Sequence, residues 1–214
     1  MLILKNQIAK IKNTAKGAQL IVVTKNQNIQ NIQKVYQLGE RDFGENRVKD
    51  LIEKKNLLPN DIHWHMIGHL QTNKVKLIAS FIHLIQSVDS IRLLKVINDC
   101  AIKYDRKINC LIQIKVSNEK SKYGFNTKDA LKLLSSNYQK KYSNIIIKGI
   151  MAMGSLTKNK EQTNKEFDLV RSIFKQIKPK KEILSMGMSN DYETAYQNGA
   201  NMIRIGSRIF KADM

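Results

Sequence analysis

Apolar positions along this chain switch repeatedly between two periods. Residues 3–16 carry Ile8, Ile11 and Ala15 at helical spacing, which predicts a helix with one buried face. QLIVVT at 19–24 is short, apolar and β-branched and predicts a strand with Lys25 at its end. Helical spacing returns over about 28–38 through Ile29, Ile32 and Val35 or Tyr36. RDFGEN at 41–46 predicts a second strand running into a turn, and Val48, Leu51 and Ile52 mark the next helix. IHWHMIG at 62–68 and HLIQSV at 83–88 predict strands three and four, with a helix over about 71–80 between them. Ile91, Leu94, Ile97, Ala101 and Tyr104 form one stripe, with Asp89 or Ser90 placed to cap it. INCLIQIKV at 108–116 predicts the fifth strand, a helix follows at about 127–138, and IIIKGIMAM at 145–153 predicts the sixth strand. A long helix then turns Phe167, Val170, Phe174 and Ile177 inward. ILSMGMSND, YETAYQNGA and MIRIGSRIF, spanning 183–210, read strand, turn, helix, strand, turn, short helix.

Strand and helix thus alternate eight times with no run of consecutive strands. That order means a parallel sheet with helical crossovers, and eight units point to closure. The expected fold class is α/β, a (β/α)8 TIM-type barrel forming a single domain over 1–214, with an extra N-terminal helix. An open doubly wound sheet is the alternative, but no GxGxxG follows the first strand.

Composition adds a strong positive charge. Lys plus Arg is 37 and Asp plus Glu is 18, a net charge of +19. Such a balance raises nucleic acid or anionic metabolites as partners. Yet the basic residues are spread over every segment in a chain rich in Lys, Asn and Ile, and aromatics are not interleaved with them as a stacking platform needs. A dedicated nucleic-acid function is therefore not expected. Cys100 and Cys110 form no CxxC pair, so free, partly buried thiols in a reducing compartment are expected. Met1–Leu4 is too short for a signal-peptide core, and charges interrupt every apolar run, so a cytoplasmic protein with no membrane span is expected.

In a barrel the chemistry sits where strands end. The polar strand-end residues are Lys25, Asn46, His65, Ser185, Ser189, Arg204 and Ser207. Gly187 and Ser189 follow the seventh strand, and Gly206 and Ser207 follow the eighth. Glycine lets backbone approach a ligand, and Ser207 opens a helix whose first N–H groups point outward, so the two turns suggest a phosphate cradle. Each residue also has a plain structural role open to it: Gly206 as a turn glycine, Ser185 as a packing residue, Ser189 or Asn190 as a cap. Asn190 and Glu193 have capping-box spacing. Arg204 lies inside the last strand, where an Arg faces a ligand or a carboxylate. A Lys at the barrel mouth opposite a phosphate cradle is what a pyridoxal phosphate site needs, although Lys25 could equally begin a solvated loop. His63 and His65 point to one face of a strand with His69 nearby, but no third and fourth ligand follows at close spacing, so no metal is expected. Lys120 and Lys122 flank Ser121 after strand five and could attract a carboxylate or form a solvated loop.

Several segments together resemble the pyridoxal phosphate homeostasis protein family, single-domain relatives of the alanine racemase N-terminal barrel. They are IVVTK (21–25), FGENRVKD (43–50), WHMIGHLQTNK (64–74), IQSVDS (85–90), LIQIKVSNEKSKYGF (111–125), KGIMAM (148–153), LSMGMSNDYETA (184–195) and IRIGSRIF (203–210). The resemblance implies pyridoxal 5'-phosphate as cofactor and Lys25 as its Schiff-base lysine. It implies that Ser185, Gly206 and Ser207 hold the phosphate, that Arg204 meets the pyridine nitrogen, and that Asn46 and Met186 line the cofactor, with Ser189 beside them. His69, Asn26, Gln27 and Gly154 depart from the family's usual pattern and bear on loop shape. Racemases of the wider family take a tyrosine from a second β domain, and none follows the eighth unit here. The expectation is a monomer that binds, buffers or hands over the cofactor, with pyridoxal-phosphate-dependent apoenzymes as recipients, rather than one that turns over amino acids. A small racemase-like enzyme is the alternative.

Overall fold

The computed structural model describes residues 1–116 and 123–210. The helices are α1 (Leu2–Thr14), α2 (Ile29–Gln37), α3 (Val48–Leu57), α4 (Ile91–Lys103), α5 (Thr127–Leu134), α6 (Tyr138–Lys141), α7 (Lys160–Gln176), α8 (Tyr192–Gln197) and α9 (Ser207–Phe210). The strands are β1 (Gln19–Val23), β2 (Asp42–Glu45), β3 (His63–Met66), β4 (Leu84–Val88), β5 (Ile108–Ile114), β6 (Ile145–Ala152), β7 (Ile183–Ser185) and β8 (Met202–Ile205). All eight pair in chain order, all parallel, and β8 returns to β1, which closes the barrel. This is the (β/α)8 architecture that the alternation predicts, with α1 as the extra N-terminal helix.

Two apolar layers hold it. Ile21, Leu84, Leu111, Met151 and Met202 fill the barrel interior. A larger layer lies between strands and helices, and there Ile8, Ile11, Ile32, Val35, Phe167 and Val170 are buried as their spacing requires. Parallel strands buried on both faces read as continuous apolar runs, which is why IIIKGIMAM and INCLIQIKV stand out.

Several local expectations are corrected. The segment expected as a helix over 71–80 is a 3₁₀ turn at Thr72–Leu77, closed by bonds such as Lys74 N to Gln71 O at 3.0 Å. Thr72 and Asn73 compete for backbone hydrogen bonds there and weaken an α-helical start. The helix expected to reach 138 ends at Leu134, where the Ser136 hydroxyl donates to Leu133 O at 2.6 Å, and a separate turn, α6, follows. At the ends of the α4 stripe Ile91 and Tyr104 are exposed, while Leu94, Ile97 and Ala101 are buried. Both cysteines are free and buried rather than partly buried. No described helix is long and apolar enough to cross a membrane. Lys120, Ser121 and Lys122 lie outside the described residues.

Candidate functional site

The C-terminal ends of β1, β2, β3, β6, β7 and β8 and the turns after them line a cavity of about 730 Å³. Lys25, Asn46, Ser189, Arg204, Gly206 and Ser207 all line it, so six residues named from sequence meet in one place. Ser185 and Met186 are not among its lining residues; both are fully buried, Met186 in the layer between strands and helices.

β1 ends at Val23, and the chain turns through Thr24 to put Lys25 at the rim. Asn26 then sits at φ 60, a left-handed position that Asn tolerates better than most residues. Behind this turn lies a buried polar knot. Glu45, at the end of β2, accepts from Thr24 Oγ1 at 2.6 Å and pairs with Lys54 of α3. Lys54 Nζ also donates to Thr24 O at 2.7 Å. The Asn46 amide donates back to Glu45 Oε2 at 3.3 Å. One carboxylate thereby ties the segments that carry Lys25 and Asn46. Gly68 packs against the same place, since a Cβ there would stand 2.3 Å from Asn46 O.

On the adjoining strand β8, Arg204 points inward, level with Ile21 of β1. Its Nη1 donates to Ser185 Oγ at 2.6 Å and its Nη2 to Ala152 O at 2.9 Å. Burial pushes its pKa down to about 10, the Asp191 carboxylate opposing this, so it stays charged at neutral pH. Ser185 therefore positions Arg204 rather than lining the cavity. The hydroxyl donates in turn to Gln86 Oε1 at 2.7 Å.

The two turns after β7 and β8 are held together by Ser189. Its hydroxyl accepts from the Gly206 and Arg208 amides, each at 3.4 Å. Gly206 packs tightly on β1, where a Cβ would lie 3.0 Å from Val23 O. Gly187 has φ +93 and would drive a Cβ to 2.6 Å from Ala195 Cβ. The Asn190–Glu193 capping box does not form. α8 starts at Tyr192 after Asp191, whose Oδ1 accepts from Met188 N at 2.6 Å, and Glu193 reaches Arg208 instead at 3.3 Å.

Sequence reasoning missed part of the lining. The loop after β6 contributes Ser155, Lys158 and Lys160, and the turn after β7 contributes Asp191. A signal was available, because GSLTKNK follows a barrel strand at its chemically active end. Lys25, Lys158, Lys160 and Arg204 against Asp191 make the cavity wall strongly cationic. The histidines separate: His69 stacks on Tyr123 with ring centroids 3.6 Å apart beyond the C-terminal end of β3, His63 opens that strand at its other end, and His65 is buried between Asp42 and Gln86.

The family model described as the alanine racemase N-terminal domain matches residues 3–213. The pyridoxal phosphate homeostasis protein of Helicobacter pylori strain 26695 is 38% identical over 196 residues, covering 90% of this chain and 87% of that protein. The protein of the same name from Schizosaccharomyces pombe is 31% identical over 214 residues, covering 97% and 89%. Among solved structures, PipY of Synechococcus elongatus with pyridoxal phosphate bound superposes with a TM-score of 0.87 at 30% identity, covering 97% of this chain and 99% of PipY. The chain therefore belongs to the pyridoxal phosphate homeostasis protein family, built on the alanine racemase N-terminal domain.

Proposed function

We propose that this protein holds pyridoxal 5'-phosphate in the cavity at the strands' C-terminal ends, joined to Lys25, and takes part in cellular pyridoxal phosphate homeostasis without robust amino-acid turnover. The observation that carries this is the convergence of Lys25, Arg204 and the Ser189–Gly206–Ser207 turns on one cavity. The residues present suit the ligand. A space of about 730 Å³ is within the usual range for a cofactor-sized pocket, and four cationic side chains against one acid suit a phosphate ester. Relatives that carry the family name and PipY, whose structure contains the ligand, support the same reading.

When bound, the cofactor supplies an aldehyde for an amine and a pyridine ring that draws electrons when its nitrogen is protonated. Lys25 supplies the amine at the rim. Ser189 accepts from the Gly206 and Arg208 amides and so fixes the shape of the turn in which Ser207, between them, faces the phosphate. Arg204 has only donors, so next to the ring nitrogen it holds that atom unprotonated and weakens the electron sink. Racemisation also needs an acid or base on each face of the substrate. Apoenzymes that need the cofactor are the recipients that a holding role implies.

The test is the visible spectrum of purified protein beside Lys25→Ala, before and after borohydride. A yellow band in wild type, fixed covalently by borohydride and absent in the variant, is expected. A wild type that stays colourless with added pyridoxal phosphate would refute cofactor binding. Robust amino-acid racemisation lost in Lys25→Ala would instead refute the non-enzymatic part.

A further inference from the structure

A second constellation lies at the other end of the barrel. Asp42 opens β2 and His63 opens β3, and the parallel register places them side by side. His83 immediately precedes β4, and its amide donates to Trp64 O at 3.0 Å, which sets it beside the start of β3. Three neighbouring strand starts therefore present Asp, His and His at one rim. One ligand atom from each lies within 4.8 Å of the others. His63 Nδ1 is 3.3 Å from Asp42 Oδ1, and two ligands about 2 Å from a tetrahedral zinc ion stand about that far apart.

We propose that Asp42, His63 and His83 form a binding site for a divalent transition-metal ion of the zinc class, with water completing the coordination. Two imidazoles and one carboxylate suit zinc, cobalt or nickel, whereas magnesium and calcium prefer all-oxygen shells. His63 and His83 are exposed, so an ion can reach them from solvent. Their rings stack with centroids 4.4 Å apart, which keeps the two imidazoles side by side at the rim.

The support beneath the three ligands distinguishes this rim from a chance surface cluster. His65 is fully buried, with Nε2 3.1 Å from Asp42 Oδ1 and Nδ1 3.2 Å from Gln86 Nε2. Gln86 Oε1 already accepts from Ser185, so the Gln86 amide nitrogen donates to His65 Nδ1. His65 Nε2 then carries the proton and donates to Asp42, a tautomer assigned from the network. The carboxylate is thus oriented from below by a buried ring that is itself oriented, the outer-shell arrangement that metal sites require. Lys148 lines the small hollow beside His65 and His83, and its charge is partly offset by Glu182 at 3.2 Å. Along the sequence only His63 and His65 could be paired; the register of β2, β3 and β4 brings in Asp42 and His83.

None of the three ligands lines the cofactor cavity, so metal uptake is read directly, on protein with and without pyridoxal phosphate. Tag-free protein is titrated calorimetrically with Zn²⁺, and with Co²⁺ while its visible absorption is followed. One saturating equivalent of Zn²⁺ is expected. Its affinity should fall at least about tenfold in His63→Ala and in His83→Ala and stay at the wild-type value in His69→Ala and Cys100→Ser. The cobalt bands of a low-coordination site should appear in wild type and vanish in His83→Ala. Both rings are exposed, so these variants should melt with the wild type. No saturable binding, or uptake unchanged in both His63→Ala and His83→Ala, would overturn the proposal.

Discussion

Lys54 Nζ is paired with the Glu45 carboxylate inside the wall directly behind Lys25, and both side chains are almost entirely shielded from solvent. The pair is also hydrogen-bonded to Thr24, so it joins the ends of β1 and β2 through α3. A buried pair contributes little against well-packed apolar residues, but removing one partner leaves a desolvated charge. Lys54→Met is therefore expected to lower stability by roughly 3–5 kcal/mol, read as the urea midpoint at unchanged slope. The double variant Glu45→Leu with Lys54→Met should recover much of that loss. A single variant that unfolds with the wild type would mean that water reaches the pair.

Ser185 makes a prediction about the buried charge of Arg204. Its hydroxyl accepts from Arg204 at 2.6 Å and donates to Gln86 at 2.7 Å, all inside the barrel. Ser185→Ala leaves both partners short of a bond, at a cost of about 1–3 kcal/mol. Arg204 keeps its bond to Ala152 O but loses the one that fixes its second arm. Pyridoxal phosphate titrated by absorbance should bind more weakly to Ser185→Ala than to wild type. Unchanged affinity would show that Ala152 alone positions the guanidinium.

Gly68 tests whether Asn46 matters to the ligand. An added methyl would collide with the Asn46 backbone, the nearest approach being 2.3 Å to its carbonyl oxygen, and backbone yields less readily than a side-chain tip. Gly68→Ala should cost about 1–3 kcal/mol as overpacking and should shift Asn46 at the cavity rim. Loss of both melting temperature and cofactor affinity is expected. A fall in melting temperature alone would remove Asn46 from the binding surface.

The fold was legible because strands such as QLIVV, INCLIQI and IIIKGIMA are apolar, β-branched runs and the longer helices carry apolar stripes, so the period sorts them. The 3₁₀ turn after β3 escaped because a one-turn segment has no period to read. The rim residues Lys25, Asn46, Arg204 and Gly206 were legible from their place at strand ends. Ser185 was assigned to the cavity because sequence places it at a strand end without saying how deep; packing against Gln86 and Arg204 puts it below. Lys158 and Asp191 were missed because loop residues reach a site through loop shape, which no periodicity encodes. Asp42 and His83 were invisible as partners of His63 because strand register is a long-range property.

Asp191 gives the pH dependence. It lines the cavity half-buried, and burial raises its pKa above the usual carboxylate value, although the Met188 amide and the Arg204 charge pull it down. A carboxyl with a raised folded pKa binds its proton more tightly folded than unfolded. Stability then falls as pH rises from 3.8 through the raised value, so at neutral pH the charged Asp191 is a burden. Asn at this position keeps an oxygen for the Met188 amide and carries no charge. Asp191→Asn should therefore melt at or above the wild-type temperature at pH 7, and the difference should shrink as pH falls toward about 4. It should also bind pyridoxal phosphate more tightly, because the one carboxylate among the lining residues is gone. A variant less stable at pH 7, with a deficit that disappears in acid, would mean that attraction to Arg204 outweighs the burial of the carboxylate.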